Sequence, residues 1–139
     1  MGTRDGRRRL LSTVPGRIDS EVIFEGRIVQ LSVDKVRFPD GSEGQLEMIR
    51  HAGASAVLPF LGGLLDPDPD VILVRQYRYA YDGYLYEVPA GLPAGHEESW
   101  EECAHRELEE ETGMRAATMT PLTRIYTTPG FTDEVIRLF

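Results

Sequence analysis

The 139-residue chain is 41% hydrophobic and 27% charged, the balance of one soluble globular domain with a core of its own. A formal charge of -8 excludes a general nucleic-acid binder, which needs a basic face, but admits a small polyanion if cations bridge it. The single Cys103 excludes an intramolecular disulfide framework and a cysteine zinc cluster, and no run approaches the roughly 18 apolar residues of a membrane span.

The opening RDGRRRLLSTVPG is basic and lacks the apolar stretch of a signal peptide, so residues 1–19 read as a mobile tail and the location as cytoplasmic. EVIFEGRIVQLSVDKVRF and QLEMIR are β-rich and separated by a Pro-Asp-Gly turn, which predicts a small antiparallel meander within residues 20–50. With few obvious core residues, such a ribbon must pack on a partner chain or on the rest of this one.

After His51 the texture changes, and residues 51–139 read as the main domain. ASAVLPFLGGLL and VILVRQYRYA are strand candidates separated by the loop signal DPDPD, and LYEVPAG is a short strand ending in a turn. A helix follows from about Ser99 to Thr112, then TPLTRIYTTPG and EVIRLF read as strands around a Pro-Gly turn. The order predicts an α+β fold, a mixed sheet with an inserted helix.

Ser99 and Glu102 have the spacing of a capping box, while Trp100, Cys103, Ala104 and Leu108 trace an apolar stripe. Cys103 thus reads as a small buried helix residue. The opposite face is strongly acidic: eight glutamates lie between Glu97 and Thr112, against Arg106 and His105. Negative charge at a helix C-terminus opposes the macrodipole, and Glu107 and Glu111 are like charges one turn apart. Glu107, Glu110 and Glu111, at i, i+3 and i+4, share a face and offer hard oxygens to Mg2+ or Mn2+, although the charge pattern alone also describes a solvated surface.

The whole segment GLPAGHEESWEECAHRELEEETGM resembles the Nudix box, G-x5-E-x7-R-E-U-x-E-E-x-G-U with U aliphatic, the signature of the Nudix hydrolases. Gly91 opens it, Arg106 and Glu107 supply the R-E pair, Leu108 the first U, Glu110 and Glu111 the E-E pair, and Gly113 and Met114 the end. The loop is one residue longer than the pattern, so either Glu97 or Glu98 fills the first acidic slot. The resemblance implies an α/β/α sandwich preceded by the meander. It makes Glu107 and Glu111 the main metal ligands, Glu110 a further or water-mediated one and the Ala90 carbonyl a backbone ligand. Arg106, Glu110 and Glu111 would form the catalytic set, with Arg106 orienting the glutamates.

Other segments bear on the substrate. Arg75 and Arg78 in VRQYR carry guanidinium groups suited to phosphate or carboxylate. YEVPAGL, with Glu87, and TPGFTDE, with Pro129 sixteen residues past Gly113, resemble the ADP-ribose pyrophosphatase branch of the family. There Arg78, Glu87, Gly130 and Glu134 would face the substrate, and hydrolysis of ADP-ribose would give AMP and ribose 5-phosphate. The meander resembles the subdomain through which that branch forms an intertwined homodimer. Tyr77, Tyr79 and Tyr81 could stack on a base, but core or interface packing is the plainer expectation. Two alternatives stay open: another nucleoside diphosphate sugar such as GDP-mannose, or a nucleotide-binding module without catalysis. The resemblance runs over residues 21–139, where the family continues with more sheet, an acidic loop and a closing helix, so the general base is left unassigned.

Overall fold

A computed structural model of the chain describes residues 14–63 and 66–139. The first 13 residues of the expected tail lie outside the described residues, and the remainder of that tail is already strand from Gly16.

Three strands, β1 (Gly16–Glu25), β2 (Val29–Arg37) and β3 (Glu43–His51), form an antiparallel sheet in that order. The Pro-Asp-Gly turn sets its register: Gly41 donates to the Phe38 carbonyl at 2.9 Å, and Asp40 accepts from the Ser42 amide and hydroxyl. What the sheet buries is unexpected, since its most enclosed side chains are the polar Ser32 and Asp34, while β1 is exposed along its whole length.

The second unit begins with β4 (Ala54–Ala56), followed by the short hairpin of β5 (Phe60–Leu61) and β6 (Asp70–Val71). A second hairpin, β7 (Val74–Arg78) and β8 (Gly83–Glu87), closes through a 3-10 turn at Tyr79–Tyr81 and Asp82 in the left-handed region. Then come β9 (Ala90–Gly91), the helix α1 (Trp100–Thr112), β10 (Thr123–Tyr126) and β11 (Val135–Leu138). The main sheet runs β10-β11-β4-β9, with β11 parallel to β4 and the other pairs antiparallel. The expected mixed sheet, inserted helix and preceding meander are all present, with one α-helix among the described residues.

ASAVLPFLGGLL is not one strand. Pro59 has no N–H to extend the ladder, and the backbone instead changes partners: Val57 donates to Pro89 and Leu58 to Phe139, each at 2.9 Å. α1 packs on β4 and β9, burying Cys103, Ala104 and Leu108; Leu108 and Ala104 form a core with Val57 and Phe139, flanked by Trp100, Ala116 and Met119. The fully buried Ser55 hydroxyl donates to the Trp100 carbonyl at 2.7 Å, fixing the start of the helix over β4.

The meander is tied to this unit by backbone bonds. Ile49 donates to the Phe131 carbonyl at 2.7 Å and accepts from the Asp133 amide at 3.3 Å, so the loop before β11 runs beside the end of β3. No helix among the described residues is long and apolar enough to cross a membrane.

Candidate active site

The glutamate-bearing helix starts and stops where local chemistry dictates. The Ser99 hydroxyl accepts from the Glu102 amide at 3.2 Å while the Glu102 carboxylate accepts from the Ser99 amide at 2.8 Å, a complete capping box. Gly113, at φ 73°, takes the left-handed conformation that ends the helix.

Arg106 organises the acidic face. Its Nε and Nη2 donate to the two oxygens of Glu98 at 2.8 and 3.0 Å, Nη1 to Glu107 at 2.6 Å and Glu110 at 3.1 Å, and Nη2 also to the Leu92 carbonyl at 2.9 Å. Hydrogen bonds from Arg106 and then from the Ala94 amide hold the Glu98 carboxyl down at about 2, and the carboxylates of Glu98, Glu107 and Glu110 push the Arg106 guanidinium up. Of the two candidates for the first acidic slot, Glu98 lies against Arg106, whereas Glu97 is exposed.

Glu111 is differently placed. Its Oε2 accepts from the Ala90 amide at 3.2 Å, yet burial pushes its carboxyl upward, and the nearby Glu107 charge adds to that push against the Ala90 bond. Glu107 in turn lies so close over Gly91 that a Cβ there would fall inside its carboxyl group, so a side chain at this position would displace the Glu107 carboxylate. The two carboxylates therefore meet at β9. The contact that the structure shows from Ala90 is its N–H on Glu111.

These donors are hard oxygens in mutual repulsion, the set a divalent cation requires. Among the described residues, however, no three acidic, histidine or cysteine side chains converge closely enough to enclose a cation. The convergence expected of Glu107, Glu110 and Glu111 is incomplete because Arg106 draws Glu107 and Glu110 to itself, leaving Glu111 on the Ala90 side.

Arg78 and Glu87 sit beside this cluster and pair with each other, Nε to Oε1 at 2.8 Å and Nη2 to Oε2 at 2.6 Å; both act electrostatically on Glu111. Arg75 instead stacks over the Tyr84 ring at 3.8 Å. Tyr77, Tyr79 and Tyr81 are 48%, 89% and 64% exposed, so none belongs to the core of the chain. Gly130 and Glu134 lie on the loop before β11. Glu134 accepts from the Thr127 hydroxyl at 2.7 Å and approaches His51 Nδ1 at 3.2 Å. With β4 between β11 and β9, Ala90 is level with Leu138, two strand spacings or roughly 10 Å away across the sheet, and the loop ends at Glu134, four residues before Leu138.

Sequence reasoning passed over Asp34, Arg50 and Asp133. Arg50 bridges the nearly buried Asp34 and, through Nη1 at 3.1 Å, Asp133 on the same loop as Gly130 and Glu134. No spacing motif marks these three, because the contact joins residues 34, 50 and 133.

The NUDIX domain family model matches residues 40–139. An ADP-ribose pyrophosphatase from Bacillus subtilis (strain 168) is 39% identical over 123 residues, covering 88% of this chain and 63% of the relative. An ADP-ribose pyrophosphatase from Mycobacterium tuberculosis (strain ATCC 25618 / H37Rv) is 38% identical over 122 residues, covering 88% and 56%. A crystal structure of an ADP compounds hydrolase superposes with a TM-score of 0.69 at 23% identity, covering 89% of this chain and 64% of that one, a likeness of fold. The chain thus spans about three-fifths of the length of these curated relatives.

Proposed function

The chain belongs to the NUDIX domain family, and from that premise we propose that it hydrolyses the diphosphate bond of ADP-ribose to AMP and ribose 5-phosphate with Mg2+ or Mn2+. The observation that carries this reading is the meeting of two carboxylates at β9: Glu107 over Gly91, and Glu111 on the Ala90 amide. The chain's likeness in sequence to two ADP-ribose pyrophosphatases, over 88% of its length in each case, supports the choice of substrate.

Glu107 and Glu111 would hold the cation, with Glu110 as a further ligand. A divalent ion bound there supplies charge neutralisation for the diphosphate and a water activated for attack. The chain's own residues do the rest. Arg106 fixes the carboxylates from Glu98, Glu107 and Glu110 in one array, so their orientation is set before substrate arrives. The Ala90 N–H holds Glu111 on the β9 side of that array. Arg78 is tethered by Glu87 beside the array, where exchanging one carboxylate for a phosphate oxygen gives it a substrate contact. Gly130 and Glu134 border the far end of the substrate, across the sheet.

Homodimerisation through the meander is part of the same proposal. It is supported by β1, where Val22, Ile23 and Phe24 are all more than half exposed on an edge strand.

The test is AMP release from ADP-ribose with Mg2+, run beside GDP-mannose under identical conditions. Turnover of ADP-ribose by the protein, lost on chelation, is the expected result. Preference for GDP-mannose would move the substrate within the same chemistry, and metal-dependent nucleotide binding without product would replace catalysis by binding.

A further inference from the structure

The meander and the loop before β11 are joined by a connection that neither the box nor the core needs. Asp34 is only 3% exposed, an ionised side chain in the interior of a three-stranded sheet. Taking a carboxylate out of water is costly, and pairing it with arginine rarely makes it more stabilising than a well-packed apolar residue. Its partners nonetheless form an ordered set: Ser20 Oγ donates to Asp34 at 2.7 Å, Ser32 Oγ at 3.1 Å, and Arg50 closes the group. Arg50 is thus anchored from below by a buried charge that is itself fixed on three sides.

The other arm of Arg50 reaches Asp133. Asp133 Oδ2 accepts from Arg50 Nη1 at 3.1 Å and Oδ1 accepts from the His51 amide at 3.0 Å, so one carboxylate spans a side chain and the backbone next to it. With the two Ile49 backbone bonds, four hydrogen bonds now pin residues 131–133 to β3. Gly130 immediately precedes this pinned segment, and Glu134 immediately follows it.

We infer that Arg50 is a positioning residue: a strut between buried Asp34 and Asp133 that fixes where the Gly130–Glu134 loop stands relative to the glutamate array. The inference rests on the proposed role of that loop at the substrate. Arg50 itself touches no reacting atom. Its planar fork serves both carboxylates at once, which a lysine ammonium does less well. Because the strut acts on the recognition loop and not on the glutamates, its loss raises KM and leaves kcat in place.

Asp133→Asn tests this with the fold preserved. Asparagine keeps an oxygen for the His51 amide and leaves the Asp34–Arg50 pair intact, while the Asp133 side chain is 43% exposed and free of the core. The expected result is about a tenfold rise in KM for ADP-ribose with kcat within about twofold of the parent. Amide hydrogen exchange over residues 131–134 should also quicken roughly tenfold. Arg50→Lys should move both readouts the same way by a smaller amount. An unchanged KM in an active protein overturns the strut, as does unchanged exchange. If the parent shows no turnover of ADP-ribose, the proposed function fails instead, and the exchange measurement alone decides whether Arg50 holds the loop.

Discussion

At the scale of single residues, the site is a contest among like charges refereed by one guanidinium. Glu98 and Glu97 are adjacent and chemically identical, but only Glu98 has Arg106 on both its oxygens. Glu98→Gln should therefore lower turnover of ADP-ribose by about tenfold or more, through loosened orientation of Glu107 and Glu110, whereas Glu97→Gln stays within about twofold; steady-state kinetics of the two variants checks the pair. Glu111 should behave in the opposite sense for stability. Its carboxyl is pushed upward by burial and by Glu107, so its charge strains the metal-free fold. Glu111→Gln should abolish nearly all hydrolysis while leaving the metal-free melting temperature no lower than the parent's. Retained activity would contradict its assignment as a ligand.

At the scale of elements, the helix and the meander contrast. α1 was legible because everything that defines it is local: the Ser99 and Glu102 box, the stripe through Cys103, Ala104 and Leu108, and Gly113 all lie within a few turns. β2 was not legible in the same way. In a strand, alternation separates two faces but does not say which is inside, and in LSVDKV the apolar set would be expected to point inward. The structure instead encloses Ser32 and Asp34 most deeply, because Ser20 and Arg50 on the neighbouring strands satisfy Asp34, and Ser32 donates to Asp34 and to the Met48 carbonyl. Asp34 makes this testable by pH. Burial opposes its ionisation, but hydrogen bonds from Ser20, Arg50 and Ser32 outweigh that and hold its carboxyl below the ordinary range. A depressed folded value contributes stability above the unfolded one and loses it as pH falls through the folded one. Asp34→Asn should thus cost about 2 kcal/mol in urea unfolding at neutral pH. The gap should close progressively below about pH 4.

At the scale of the whole molecule, the meander and the second unit meet along β3 and the loop before β11, and β1, exposed along its length, is an edge strand among the described residues. The proposed dimer would cover that strand. Phe24→Asp is accordingly expected to shift the sedimenting species from dimer to monomer with the circular dichroism of the fold unchanged; a parent that already sediments as a monomer would remove this part of the proposal. In the order β10-β11-β4-β9, the strand that follows the TPGFTDE loop is separated from β9 by β4 alone.

The sequence by itself determined the helix, its caps, its acidic face and the family signature, since each is written in residues near one another along the chain. It also determined the meander, through the turn between its second and third strands. Only the tertiary structure decided which of Glu97 and Glu98 meets Arg106, which face of β2 is buried, and that Arg50 reaches Asp133 across 83 positions. Those outcomes depend on contacts between distant segments, where the energy of one hydrogen bond is fixed by what the rest of the fold brings to it and not by its neighbours in sequence.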